Sequence, residues 1–548
     1  MKRIKKILFL FIVIFALFIR VYRIDTLPPS LHYDEIDAGY QAMIFNQNHT
    51  DYYGNKFPTH FRSFGDYRTS LHIYTIALFQ QLSISPDLSV RLPSAIFGTL
   101  SVIVLFLVTK SVIPSFLLAV SPWAIHYSRI GFEVSGMIFV ILLGIYFWKK
   151  FLETNKLIFI FLAAFFFCLS PYFYSTAKVF LPFSAILIFI IWQKEIIRVG
   201  VKNLITFIVF CLLILSPLII DTLSGHSGYR FSYISIFTQP HREQVVDSLR
   251  YQDILQNHQD QIGVKTPLFS YFFHNKYQLS AKRLIDNYVS SFSTDFLITK
   301  GDNNTRHGFG GHGLIYLIDY FLVSIGIFSI FIPKNKNKLS ILFLGLLLIS
   351  PIPYALTRDS DSPHATRLIL MLPSIIYFSF LGIKYVQSLG KHIFYVSLLI
   401  LYFLSFIGFG HYYYYHYPQD NALYWNTGMK EAVVASNSYP QKPLVFSDSH
   451  ESFVSFFLFY KPYPLLSSSI SDHLKEINNS SFSGQILDDK YYFGHVNWSN
   501  LSKIPVDAVF IVPKSEYENQ YHPMFNKVQI ISKKYINQEE FYLLTNNE

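Results

Sequence analysis

Long apolar blocks, each with almost no charge, recur along this chain and exclude an ordinary soluble fold. They fall at 5–22, 91–109, 111–127, 134–149, 156–173, 179–193, 202–220, 313–333, 338–356, 367–387 and 392–410, with polar stretches between them. A helix needs about twenty mainly apolar residues to cross the hydrocarbon core, so the pattern predicts about eleven spanning helices. Apolar residues make up 51% of the 548 residues and charged residues only 15%; soluble domains carry roughly a quarter charged. The chain is read as mainly α, a polytopic transmembrane helix bundle. Block 111–127 is interrupted by Pro114 and Pro122, which a membrane helix tolerates where neighbours satisfy the freed backbone groups.

Basic residues set the topology. The groups Lys2/Arg3/Lys5/Lys6, Lys110, Lys149/Lys150, Lys194/Arg198/Lys202, Lys334/Lys336/Lys338 and Lys391 flank alternate block ends, and Lys and Arg collect on the cytoplasmic side. The start is read as an uncleaved first helix with its N-terminus in the cytoplasm, because no small-x-small cleavage pattern follows the apolar run. Ser70–Phe79 is apolar but short; letting it span would turn every later Lys cluster outward, so it is laid on the outer surface. This places the chain in the cell membrane as a multi-pass protein. Its extracytoplasmic loops are 23–90, 128–133, 174–178, 221–312 and 357–366, and the two long polar ones make the outer face the working face. The net charge of +10 sits mostly beside apolar blocks, so the expected partner is membrane lipid and not nucleic acid. Cys168 and Cys211 both lie inside apolar blocks, which leaves no disulfide framework and no cysteine metal site.

From about His411 the character changes. Pro443–Ser447, Asp507–Val512, Lys527–Ile531 and Glu540–Leu544 read as short strands, and Gly428–Asn437 and Glu451–Tyr460 as helices. The expected division is a transmembrane catalytic domain over 1–410 and a small extracytoplasmic α/β domain over 411–548. There is no Gly-rich phosphate loop, so ATP-driven work is not expected.

Five outer features carry possible chemistry. Just past the first block, Leu31-His-Tyr-Asp34-Glu35-Ile-Asp37 sets an adjacent acid pair and a third acid at the membrane boundary, where charge is costly and marks function. A carboxylate there could take a proton from an attacking hydroxyl, the pair could hold a divalent cation through oxygen ligands, or Asp34 could simply cap a helix beginning near Ile36. At the next outer turn, Arg129 offers a fork of donors to a phosphate and Glu133 a second acid or metal ligand; the plain alternative is an ion pair between them at i, i+4. Lys178 stands at an outer helix end, as a ligand or as a snorkelling side chain. Arg306 and His307, among the glycines of Asp302-Asn-Asn-Thr-Arg-His-Gly-Phe-Gly-Gly-His312, suit closure over a phosphate, or form only a flexible lead into the next helix. Arg358-Asp-Ser-Asp-Ser-Pro-His364-Ala-Thr-Arg367 puts further cations outside, against the positive-inside trend.

Acids and cations converging on one membrane face suit a polyprenyl-phosphate sugar as donor. The cations would neutralise the departing phosphate as its charge develops, and the acid would deprotonate the acceptor. A single attack from the opposite face inverts the anomeric centre.

On these residues the chain resembles the GT-C superfamily of lipid-phosphate-sugar-dependent glycosyltransferases. It is similar to bacterial aminoarabinose transferases and dolichyl-phosphate-mannose protein mannosyltransferases (glycosyltransferase families 39 and 83). The matching stretches are Leu27-Pro-Pro-Ser-Leu-His-Tyr-Asp-Glu-Ile-Asp-Ala-Gly-Tyr40, Arg91-Leu-Pro-Ser-Ala-Ile-Phe-Gly98 and Ser121-Pro-Trp-Ala-Ile-His-Tyr-Ser-Arg-Ile-Gly-Phe-Glu133, with Arg367 and Pro373 later. The resemblance implies a hexosyl- or pentosyltransferase with Asp34 as the catalytic acid-base position, Glu35 beside it, and Glu133 as an acid that joins a metal site in some relatives. A lone Glu133 stands here in place of an Asp-x-Asp pair, so no cofactor is certain and a divalent metal ion held by Asp34 and Glu133 stays open. Loop 221–312 lacks the motif that marks oligosaccharyltransferases, which argues against transfer of a whole glycan to Asn. The expectation is transfer of one sugar to a lipid, glycan or protein acceptor, through a hydroxyl or amine, with Arg129, Lys178, Arg306, His307 and Arg367 on the donor phosphate. The competing readings are a polymerase or ligase acting on diphosphate-linked glycans, and a transporter, which would show repeats and broken helices at mid-membrane.

Overall fold

The computed structural model describes residues 2–225, 231–238, 240–256, 266–332, 337–358, 362–390, 392–448, 452–461, 464, 468–519, 525, 527–531, 534–535 and 538–545. Lys334, Lys336 and Lys391 of the expected cytoplasmic groups, and the two acids following Arg358, lie outside the described residues. Among the described residues seven helices are long and apolar enough to cross a membrane: Pro86–Thr109, Val134–Thr154, Thr176–Arg198, Val201–Leu223, Lys338–Ala355, Ala365–Ser388 and Tyr395–Asp420. Leu157–Phe173 and Leu317–Ser329 are shorter apolar helices, and Lys2–Val21 forms a further helix at the start. Block 111–127 divides at Pro122 into Val112–Val120 and Pro122–Tyr127, as its two prolines foreshadow. The protein is a multi-pass helical membrane protein.

Residues 1–146 and 400–548 form one compact unit. Its helices are α1 (Lys2–Val21), α2 (Tyr33–Asn48), α3 (Ser70–Gln80), α4 (Pro86–Thr109), α5 (Val112–Val120), α6 (Pro122–Tyr127) and the start of α7 (Val134–Thr154), with a hairpin of β1 (His60–Ser63) and β2 (Asp66–Thr69) between α2 and α3. At eleven residues α3 is too short to cross a bilayer.

The tail of this unit carries a seven-stranded sheet in the order β4-β5-β6-β3-β7-β9-β8. The strands are β3 (Leu444–Ser447), β4 (Leu474–Asn478), β5 (Phe482–Leu487), β6 (Tyr491–Val496), β7 (Val509–Pro513), β8 (Lys527–Ile530) and β9 (Phe541–Thr545). Central β3 runs parallel to β6 and β7, and the outer pairs are antiparallel. Side chains alternate between two cores, as a strand period of two requires. Val445, Phe510, Val512, Tyr542 and Leu544 face one. Phe446, Ile511, Phe541 and Leu543 face the other, which runs on through the helix Phe453–Tyr460 into Ile36, Tyr40 and Ile44 of α2. The tail sheet and the segment between α1 and α4 therefore share one hydrophobic core. Gly39 makes this approach close: a Cβ there would lie 2.6 Å from Cε2 of Phe459. Asp87, in the first turn of α4, accepts from Lys430 and Tyr460 of the tail.

Residues 147–399 form the second unit. It contains α8 (Leu157–Phe173), α9 (Thr176–Arg198) and α10 (Val201–Leu223). It also holds the loop helices Arg242–Gln256, Leu268–Phe273 and Lys276–Ser290 and the later spans up to Ser388. Lys338 at the start of its span pairs with Glu195 near the end of α9, Nζ to Oε1 2.6 Å.

Candidate active site

The first unit assembles its acids around the N-terminus of α2. His32 is the N-cap, and a capping box closes on Glu35, whose Oε2 accepts from the His32 N–H at 2.9 Å. The cap thus falls on His32 and Glu35, and Asp34 points elsewhere.

Glu35 is fully buried. Arg91 of α4 grips it with two donors, Nε to Oε1 at 2.8 Å and Nη2 to Oε2 at 3.0 Å, and Oε1 also accepts the Gly131 N–H at 2.7 Å. Arg91 gives its remaining donors to the carbonyls of Ile24, Pro28 and Ser30. A buried ion pair holds only when its remaining donors and acceptors are met in this way. Gly131 is confined: a Cβ would lie 2.6 Å from Val90 Cγ1 and 3.2 Å from Glu35 Oε1. Its carbonyl meets His72 Nε2 at 2.9 Å. Burial pushes the His72 imidazole down to about 4, so it is neutral. Glu35, Arg91, His72 and Gly131 form a clamp joining the first loop to α4 and the 128–133 turn.

Asp34 keeps 39% of its side chain exposed and meets Arg68 of β2, Nη2 to Oδ1 at 2.5 Å. Arg68 also pairs through Nε with the buried Asp37, and Asp37 accepts from the Tyr52 hydroxyl at 2.9 Å. Burial pushes the Asp37 carboxyl above its usual value, against the pull of Arg68 and of the Tyr52 and Ser63 hydroxyls. Burial works against the charge of Arg68 too, but Asp34, Asp37 and Glu133 outweigh it and hold the guanidinium firmly protonated. Glu133, half-buried, thus joins the field of this cluster. Sequence reasoning missed Arg68. The available signal was Gly65, whose left-handed φ of 77° closes the two-residue turn between Ser63 and Asp66 and brings Arg68 back to α2.

Arg129 is buried, and its terminal nitrogens serve backbone carbonyls: Ile19 at 2.6 Å, Tyr22 at 2.8 Å and Leu27 at 2.9 Å. These carbonyls belong to the C-terminal end of α1 and the turn after it, where a cation offsets the helix dipole. The guanidinium lies 5.2 Å from the Tyr414 ring centre. Its terminal nitrogens are spent inside the fold.

In the second unit the sequence-flagged residues Arg306, His307, His364 and Arg367 come together around Asp302. The buried Asp302 carboxylate accepts N–H groups from Asn304 at 2.9 Å and Ala365 at 2.8 Å. His364 Nδ1 is 3.6 Å from its Oδ2. The His307 ring packs on His364 with centroids 4.6 Å apart and bonds Thr366 Oγ1 at 2.9 Å. Arg367 donates to Thr357 Oγ1 at 2.9 Å, and Arg306 Nε to Asn304 Oδ1 at 3.1 Å. Burial pushes Asp302 up to about 6, opposed by those two N–H groups and by the charges of Arg367 and Arg306. Gly308 permits the tight loop, since a Cβ there would lie 2.4 Å from the Asp302 carbonyl oxygen. Lys178 is half-buried in the first turn of α9.

Among the described residues no three His, Cys, Asp or Glu side chains gather closely enough to hold a metal ion, and Asp34 already carries Arg68 on Oδ1. The arrangement offers a guanidinium as the charge partner of Asp34.

No family model matches the chain, and no curated protein does. Among solved structures it is similar to the oligosaccharyltransferase AglB of Archaeoglobus fulgidus in complex with an inhibitory peptide and a dolichol-phosphate, at 12% identity and a TM-score of 0.47, over 88% of this chain and 62% of that one. It is also similar to ArnT of Cupriavidus metallidurans in the apo state, at 10% identity and a TM-score of 0.42, over 98% of this chain and 97% of that one. The undecaprenyl phosphate-bound form of ArnT matches at 10% identity and a TM-score of 0.41. The chain spans 62% of the length of the AglB structure.

Proposed function

We propose that this protein is an integral-membrane glycosyltransferase that moves a single sugar from a polyprenyl-phosphate carrier to a hydroxyl or amine of a lipid, glycan or protein acceptor on the outer face of the membrane. The observation that carries the reading is Asp34. It is the accessible carboxylate of a buried charge cluster, set two residues into a helix that follows the first apolar segment, and Arg68 holds it in place.

In this mechanism Asp34 takes the proton of the acceptor O–H as that oxygen attacks the anomeric carbon. The bond from that carbon to the phosphate oxygen breaks, the polyprenyl phosphate leaves with the electron pair, and the configuration inverts. Arg68 orients the base. Glu35 is a structural clamp in this reading, and Arg129 anchors α1. The Arg306, His307 and Arg367 cluster of the second unit is proposed on its own geometry as an anion-binding group, with Lys178 as a further cation toward the donor phosphate. Arg68 supplies charge compensation at Asp34, and the cation arm of the assay below tests a divalent metal ion on Asp34 and Glu133.

The test is purified protein in nanodiscs with a panel of polyprenyl-phosphate sugars, with and without divalent cation. Consumption of one donor by the native chain, lost in Asp34→Asn with donor binding retained, is the expected result. Undiminished transfer by Asp34→Asn would remove the mechanism.

A further inference from the structure

The loop between α10 and the apolar helix Leu317–Ser329 is polar in sequence and reads as an exposed outer lobe. Its helix Leu268–Phe273 has the opposite organisation. The polar members of this segment and its flank turn inward. Ser270 is 1% exposed and donates to Asp253 Oδ2 at 2.5 Å. His274 lies 3.1 Å from the same carboxylate, and its carbonyl accepts from Arg250 at 2.8 Å. The apolar members turn outward: Leu268 is 90% exposed, Phe269 72% and Phe272 68%.

The next helix, Lys276–Ser290, continues that face. Tyr277, Ile285 and Val289 recur at multiples of four and are all exposed, which places them in one stripe. Lys276 and Lys282 are exposed on the same helix. In water this inside-out arrangement would cost free energy at every ring. Against hydrocarbon it is the stable one.

The height of these helices is fixed by hydrogen bonds to a membrane span. Tyr288 Oη donates to the Leu348 carbonyl at 2.9 Å, and Asn287 Nδ2 to the Thr357 carbonyl at 2.8 Å. Leu348 lies about 10 Å from the Ala355 end of its helix, at 1.5 Å per residue. That is the depth at which an interfacial helix buries its apolar face.

We infer that the outward apolar face of Leu268–Phe273 and Lys276–Ser290 is seated in the phospholipid leaflet at the Ala355 end of the span Lys338–Ala355, with Lys276 and Lys282 toward the headgroups. The occupant of the face is lipid hydrocarbon. The seat has a mechanical link to the cation cluster, because the Thr357 that accepts from Asn287 also accepts from Arg367 through its hydroxyl. This inference rests on the membrane span and not on the glycosyl-transfer reading.

The experiment uses the full chain in nanodiscs. A spin label is placed at Phe269→Cys or Phe272→Cys in a Cys168→Ala/Cys211→Ala background, with Asp247→Cys, 72% exposed on the neighbouring helix, as the reference. The labels at 269 and 272 are expected to collide several-fold more often with oxygen than with a water-soluble nickel complex, and the label at 247 to show the reverse. Nickel accessibility at 269 and 272 equal to that at 247 overturns the inference, as does a label immobilised by protein. A second measurement needs no substitution: a phospholipid with a diazirine in its acyl chain is photolysed with the native protein. Adducts on the Leu268–Phe273 peptide are expected, and their absence while the Val201–Leu223 peptide is labelled overturns it.

Discussion

Arg68 donates to Asp34 through Nη2 and to Asp37 through Nε, so one guanidinium sets the position of the exposed acid by holding the buried one. The proposed base is thereby aimed from a hairpin thirty-four residues further along the chain.

Asp34→Asn keeps the shape and removes the proton acceptor. A turnover loss of about 10²–10⁴ is expected, the range of general-base contributions, with donor binding unchanged. Arg68→Lys keeps the charge and loses the fork that serves two carboxylates at once. It is expected to lower kcat about tenfold or more while leaving KM for the donor near native, as misplacement of a catalytic group does. Steady-state kinetics on both variants separate the two effects, and native kcat in Arg68→Lys would remove the positioning role.

Glu35→Gln leaves Arg91 buried without its counter-charge. Breaking one side of a buried pair costs about 3–5 kcal/mol, so a marked fall in the thermal midpoint of the detergent-solubilised protein is expected. Loss of activity without loss of stability would instead give Glu35 a chemical role.

Gly39→Ala drives a Cβ into the Phe459 ring and Val90. The substitution is expected to destabilise the protein by about 1–3 kcal/mol, the usual cost of overpacking, and to lower kcat by disturbing α2. Phe459→Ala alone leaves a cavity that costs about 3–5 kcal/mol. The double substitution is expected to cost less than the sum, because each relieves the other. Additive losses would show that the tail and α2 do not communicate at this point.

Asp302 gives a pH dependence whose sign follows from its shift. Its carboxyl is raised from 3.8 to about 6, so the fold holds that proton more tightly than the unfolded chain does. The stability this adds is complete below 3.8 and is lost as pH rises through about 6. At about 1.4 kcal/mol per pKa unit, the full effect is about 3 kcal/mol. Hydrogen-exchange protection of the segment 301–312, corrected for intrinsic rates, is expected to fall between pH 4 and pH 7 in the native chain and to be flatter in Asp302→Asn. An equal slope in both would assign the dependence to another group.

The helical part of the fold was legible because a membrane helix announces itself by length and apolarity alone, without knowledge of its partners. The strands at 443–447, 507–512, 527–531 and 540–544 were legible as apolar runs. The β4–β6 meander was not, because β4 and most of β5 are half-exposed and polar, as in Lys475-Glu476 and Ser483-Gly-Gln485. The acid pair at 34 and 35 was visible as a pair, but two adjacent helix residues point about 100° apart. What each meets depends on Arg68 and on Arg91, which is fifty-six residues from Glu35. Arg129 looked like a phosphate ligand because nothing in the sequence says that its terminal nitrogens reach the carbonyls of Ile19, Tyr22 and Leu27.

The core shared between α2 and the helix Phe453–Tyr460 has a consequence for biogenesis. Ribosomes add about 5–20 residues per second, so a nascent α2 waits roughly 20–80 seconds for the partner that covers Ile36, Tyr40 and Gly39. During that interval its apolar face depends on chaperones or on lipid. A message truncated before codon 453 would yield a chain that inserts into the bilayer yet leaves Asp34 on an uncovered helix, a product that quality-control proteases can tell from the finished protein.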